Sequence, residues 1–249
     1  MALNINKLDS ESFFDLMMDT FEQGDRKQTK WLLKKGAKKF PKHHLLPFME
    51  GILAVTVGDE VKGKKLFEKS LLIKQDFALA HANLSHCYQN LEKIPLCLYH
   101  AMLAVRYATE DERELVCQQQ DMLDMVEKEI PSELSLTQYV ENGILFDQAF
   151  ELMVDNEFEQ AIELFEIVSE VDLAHSPALG NLGICHLLCE NFAVSRDYLN
   201  KALRVDPSYG LANDALSQLT KIESGELEMP QNIYPLYHGQ IERKSQREE

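Results

Sequence analysis

What most constrains this chain is a pattern that returns after 34 residues. The run Ala178-Leu179-Gly180-Asn181-Leu182-Gly183-Ile184-Cys185-His186 is followed by Phe192 to Leu199, and then by Lys201-Ala202-Leu203-Arg204-Val205-Asp206-Pro207. The spacing predicts two helices. Leu179, Leu182 and His186 share a face of the first; Leu199, Ala202 and Leu203 form the inner face of the second, which Pro207 stops. Gly183 falls where two helix backbones must come close. One period earlier a related unit spans about 142–175, with Phe158-Glu159-Gln160-Ala161-Ile162-Glu163-Leu164-Phe165 as its second helix. The N-terminal half keeps its own phase. Tyr88, Leu84 and Ala104 mark a unit near 78–111; Gly51, Gly58 and Phe67 mark one near 44–77; Leu16, Leu33 and Pro41 mark one near 10–43. With only 11 glycines and 8 prolines, such a chain reads as stacked helices and not as a turn-rich β architecture.

These residues resemble the tetratricopeptide repeat (TPR) family, with its W-x2-L-G-x2-Y…A-x3-F…P pattern, over roughly residues 10–111 and 142–224. The unit 176–209 matches at Leu182, Gly183, Ala202 and Pro207. It departs at Leu179, where the family has tryptophan, at His186 for tyrosine and at Ser195 for alanine; no unit keeps the tryptophan. The fold class implied is all-α, a right-handed α-solenoid of TPR-like helix-turn-helix repeats with an irregular middle helix. The expected layout is about three N-terminal repeats over 1–111, a degenerate repeat or linker helix over 112–141, C-terminal repeats with a solvating end helix over 142–224, and an extended or disordered tail over 225–249. Thr109-Glu110-Asp111-Glu112 reads as a capping box that opens a helix running to about Ile130, with Pro131 ending it.

Each helical pair leaves an apolar face that only stacked neighbours bury. The resemblance implies that the first helix of each pair lines a concave side that receives peptides. On that face the sequence places Phe14, Met18 and Phe21, then Leu45, Phe48, Met49, Ile52 and Val55, then Phe146, Phe150 and Met153, then Ile184 and Leu187. A concave surface this apolar is the mark of a contact site, and an amphipathic helix or an extended apolar segment is its natural guest. His86 joins the candidate peptide-binding set. Asn83 and Asn181 occupy equivalent places, one residue before Leu84 and Leu182; the resemblance implies that such an asparagine clamps a ligand backbone, because its amide both donates and accepts. Phe14, Met18 and Leu79 stand where chaperone-tail binders of the family carry cations, which argues against an acidic chaperone tail as ligand.

The reading is thus a scaffold, adaptor or chaperone-like protein with no catalytic residues, metal or cofactor, binding another protein or a peptide with an apolar segment. The alternatives are a regulator controlled by its own C-terminal tail, with Ile233, Tyr234, Leu236 and Tyr237 folding back, and self-association into a homo-oligomer through the groove or the end near Leu211, Leu216 and Leu219. The acidic second half repels nucleic acid and anionic lipid, which makes nucleic acid an unexpected partner: residues 1–108 hold 16 Lys+Arg and 12 Asp+Glu, residues 109–249 hold 9 and 29, giving −16 in all. Lys27, Lys30, Lys34, Lys35, Lys38, Lys39 and Lys42 crowd one helix around Trp31, whose inner face is read as Leu33, Ala37 and Phe40. Cys185, His186 and Cys189 superficially suggest a metal pair. Cys87 and Cys185 share a repeat position, however, and Cys97 falls where the family has alanine, so the three read as small buried apolar residues. No secretory signal is visible, no apolar run reaches the roughly 18 residues of a membrane span, and the five cysteines contain no CxxC pair. The cytoplasm is the expected compartment.

Overall fold

In the computed structural model, which describes residues 5–237, the period becomes a series of helical hairpins. A 3-10 turn, Ile5–Lys7, precedes α1 (Ser10–Glu22) and α2 (Arg26–Lys39), α3 (Leu45–Val55) and α4 (Glu60–Leu71), and α5 (Ala78–Asn90) and α6 (Ile94–Tyr107). A 3-10 segment, Glu110–Val116, leads into α7 (Cys117–Glu129). Then come α8 (Leu136–Val154) with α9 (Phe158–Val171), α10 (Ser176–Leu188) with α11 (Phe192–Val205), and α12 (Gly210–Glu223). The fold is all-α and TPR-like; no strand occurs among the described residues. It divides into two compact units after Glu129.

The repeat is visible residue by residue. Second helices begin at Arg26, Glu60 and Ile94, and again at Phe158 and Phe192, each one period from the last within its unit. The turn before each holds one residue in the left-handed region: Gly24, Gly58 and Glu92, then Asn156 and Glu190. Asp25 and Asp59, one residue on, cap their helices by accepting from the backbone N–H of Gln28 and Lys62. Where the two helices of a hairpin cross, side chains are pared down. A Cβ on Gly51 would stand 2.6 Å from the Phe67 ring, and one on Gly183 would stand 2.5 Å from Leu199 Cγ. Opposite them Thr29, Gly63, Cys97, Ala161 and Ser195 recur at one buried register of the second helix. Cys87, Cys97 and Cys185 are all buried, Cys97 with its sulfur 3.4 Å from Ser85 Oγ, and desolvation pushes each thiol above its ordinary range.

Each unit has its own core. The N-terminal one gathers Phe13, Phe14, Met17, Leu32, Phe48, Met49, Phe67, Phe77 and Leu84; the C-terminal one gathers Met153, Phe165, Leu182, Ile184, Leu199, Leu211 and Leu219. On α2 the buried face is Thr29, Leu32, Leu33 and Gly36. The expected inner pair Ala37 and Phe40 is displaced: Ala37 is exposed and Phe40 only half-buried. The seven lysines lie outside. Lys35 sits 5.6 Å from the Trp31 ring centre, and Lys39 donates to the Ile5 carbonyl at 3.3 Å.

The middle segment differs from its expected form. The Thr109–Glu112 capping box is present, but the chain then winds as 3-10 helix before α7, and α7 buries only Leu123. The next helix starts at Leu136, not 142, behind a second capping box in which Ser135 and Gln138 satisfy each other. The tail differs as well. Over 229–237 the expected extended or disordered tail is a folded turn: Gly225 turns the chain at φ 77°, and Ile233 and Leu236 come to rest 3% and 2% exposed in the C-terminal core; residues 238–249 of that tail lie outside the described residues.

Candidate functional site

The first helices of the hairpins carry the expected binding residues, and the fold sorts them into three groups. Phe14, Phe48, Met49 and Ile184 are buried inside their units, and none of them is free to meet a ligand. Phe14 lies among Phe13, Phe40 and His43, with the His43 ring stacked at 4.4 Å. Phe48 packs on Phe67 and Phe77, at 5.6 and 4.9 Å. These four correct the sequence reading: they point from the first helix toward its neighbours, where burying an aliphatic or aromatic side chain is worth roughly 1.5–3 kcal/mol.

The second group stays near the surface without converging. Met18 and Ile52 are half-buried against the N-terminal core. His86 is exposed, beside a cavity of about 490 Å³ lined also by Gln89, Met122 and Met125. Asn83 turns its amide back on its own helix, Nδ2 donating to the Leu79 carbonyl at 2.8 Å. Phe146 packs edge-on to Phe165 at 5.5 Å, and near His175 at 5.0 Å.

Phe150 and Asn181 form the third group, and they do come together. Both face the docked C-terminal segment. The Tyr237 hydroxyl donates to Asn181 Oδ1 at 2.6 Å, and its ring meets Phe150 edge-on at 6.0 Å. Asn181 is 2% exposed, so this bond satisfies an acceptor that water barely reaches. Below it Tyr209 lies against Gly180, where a Cβ would stand 2.6 Å from the ring. A glycine inside a helix costs about 1 kcal/mol relative to alanine; here the missing side chain makes the seat for Tyr209. Burial raises the Tyr237 phenol well above the ordinary tyrosine range and pushes Tyr209 up to about 12. Both phenols therefore stay protonated throughout the physiological range, and Tyr237 keeps the proton it donates to Asn181.

The segment that fills this groove is a single helical turn. Asn232 Oδ1 accepts from the Tyr234 backbone N–H at 3.1 Å, an N-cap of the usual kind. The N–H groups of Leu236 and Tyr237 donate to the Ile233 carbonyl at 3.0 and 3.3 Å. Ile233, Leu236 and Tyr237 thereby share one face, three and four residues apart, and that face enters the C-terminal core with Met229 packed alongside. Tyr234 points away, 54% exposed. Gln218 of α12 reaches the Pro235 carbonyl at 3.5 Å. Of the groove's parts, Gly180 and Tyr209 escaped the sequence reading. The only signal for them was a glycine unaccounted for in mid-helix.

Elsewhere among the described residues, no three His, Cys, Asp or Glu side chains are grouped to hold a metal ion. No helix there is long and apolar enough to cross a membrane.

No protein-family model matches the sequence, and no curated protein matches it. Among solved structures the chain is similar to YrrB, a TPR protein with an unusual peptide-binding site, at 20% identity and TM-score 0.35, over 74% of this chain and 97% of that one. It is also similar to PilF of Pseudomonas aeruginosa, at 12% identity and TM-score 0.36, over 96% and 97%. A third likeness is to the Cut9–Hcn1 hetero-tetramer of the APC/C, at 14% identity and TM-score 0.41, over 89% of this chain and 45% of that one. It is the chain's own hairpins, rather than these likenesses, that establish the fold.

Proposed function

We propose that the protein is an interaction adaptor whose C-terminal unit binds a short apolar segment of another protein, and that its own residues 229–237 hold that groove until a partner displaces them. The observation that carries this reading is the seating of Ile233, Leu236 and Tyr237 against Phe150 and Asn181. The groove is thus shaped for a segment that alternates buried apolar side chains with one polar contact, which is how ligand sites combine affinity with orientation. Two buried aliphatic side chains supply roughly 3–6 kcal/mol before the cost of ordering the segment. A tethered tail works at an effective concentration on the order of millimolar. A partner in trans must therefore bind more tightly than the tail, or the tail must be loosened first. Binding rather than catalysis is the role these residues suit.

The test is displacement. Ile233→Glu with Leu236→Glu should eject the tail from the full chain, since each places a charge in an apolar seat. A fluorescent peptide of residues 229–237 should then bind the variant and bind the parent at least tenfold more weakly, read by anisotropy. If the variant keeps its helical circular dichroism and takes up no peptide, the groove is core and not a ligand site.

A further inference from the structure

Building on that groove, we propose that Asn181 makes it a reader of tyrosine: the partner segment it takes is a capped helical turn with two aliphatic side chains three residues apart and a tyrosine immediately after the second, as in Ile-x-x-Leu-Tyr.

Three observations converge on this chemistry. Asn181 is among the few polar side chains buried in the C-terminal unit, and the contact it makes across the groove is to a phenol, not to a backbone. The surroundings of that phenol are Phe150, Tyr209 and Cys185. A phenylalanine seated there would keep the ring contact and leave the Asn181 oxygen without its donor in a place water hardly enters. Discrimination built on a buried hydrogen-bonding group is far sharper than discrimination on an apolar pocket alone. Spacing is the third constraint. Ile233 and Leu236 are the two residues of the turn that are fully buried, and Tyr237 follows directly, so its ring leaves the turn over Asn181 while Tyr234 faces out. The N-terminal unit offers a built-in contrast. Asn83 holds the equivalent place in α5, but its amide is spent on its own helix, so tyrosine reading belongs to the C-terminal groove.

The experiment uses the full chain carrying Ile233→Glu and Leu236→Glu, with two labelled peptides: Met-Pro-Gln-Asn-Ile-Tyr-Pro-Leu-Tyr, and the same peptide with Tyr237→Phe. The phenylalanine peptide should bind roughly tenfold more weakly, the size of one lost buried hydrogen bond. Adding Asn181→Leu should erase or invert that preference. Equal affinity of the two peptides on the first variant overturns tyrosine reading while leaving the groove in place. Failure of both peptides to bind a folded variant removes the groove itself, and this inference with it. Should Asn181→Leu not fold, the comparison of the two peptides on the first variant still decides.

Discussion

Between the two helices of every hairpin the chain makes the same bend with different residues. Gly24 and Gly58 take a left-handed backbone freely, whereas Glu92, Asn156 and Glu190 take it at φ 56°, 64° and 61°. A residue with a Cβ loses about 1–2 kcal/mol there, and glycine gives back part of that through its freedom in the unfolded chain. Glu190→Gly should therefore raise stability by about 0.5–1 kcal/mol, or roughly one to four degrees in Tm for a chain of this size. A lower midpoint by thermal circular dichroism would mean that the Glu190 side chain makes contacts worth more than the bend costs. At this scale the sequence was informative about close approach and poor about direction. Gly183 was legible because only a glycine admits Leu199 so near. Phe14, Phe48, Met49 and Ile184 were not, because first helices are apolar on several sides. α10 buries nine of its residues, including Asn181. A helix buried all round has no periodicity to say which face packs and which face waits.

Helices are where the period speaks most plainly, and where it misleads once it breaks. The hairpins α1–α2 to α5–α6 and α8–α9 to α10–α11 follow from spacing and caps. The segment between them does not, since counting back in whole repeats placed a helix start at 142, while the Ser135–Gln138 capping box, itself present in the sequence, sets it at Leu136. The tail was legible only as an alternative: Ile233, Leu236 and Tyr237 read as residues able to fold back, but Pro230, Pro235 and polar neighbours look like loop, and the seat that buries Ile233 and Leu236 is made by helices distant in sequence. Burial also ranks the elements in mobility. α7 buries one residue, Leu123, whereas α10 buries nine and α5 buries eight. Local opening follows local burial, so the amides of α7 should exchange with deuterium at least tenfold faster than those in the middle of α5 and α10. Equal protection across the three helices would show that the backbone bonds of α7 are held by something other than side-chain packing.

At the scale of the whole molecule, two cores carry different titrating groups, and acid should act on them through buried histidines. In the N-terminal unit the Nδ1 atoms of His81 and His100 face each other at 2.9 Å, and His81 Nε2 lies 3.0 Å from the Gln75 carbonyl. Two ring nitrogens in that arrangement share a single proton, so the pair is satisfied when both rings are neutral. Tyr88 stacks on His100 at 5.4 Å, Tyr107 lies 5.7 Å from His81, and the Tyr88 hydroxyl donates to Glu68. Burial, and after it the charge of His81, brings His100 down to about 4. His44 also falls to about 4, chiefly through burial and then through His43 and Lys74. The unfolded chain takes up these protons near 6.5, the folded chain only near 4, so acidification through that window favours unfolding. Each unit of depression corresponds to about 1.4 kcal/mol, lessened at these partly exposed rings by solvent screening. The C-terminal unit has the reversed pair, His186 stacked on Tyr198 at 5.5 Å, with no second histidine across from it. His100→Tyr would give the N-terminal unit the residue that Tyr198 supplies in the other. The single tryptophan, Trp31 on α2, reports on the N-terminal unit alone. Its thermal midpoint should fall steadily from pH 6.5 to 4 in the parent chain and more shallowly in His100→Tyr. Parallel slopes in the two proteins would place the acid sensitivity outside the His81–His100 pair.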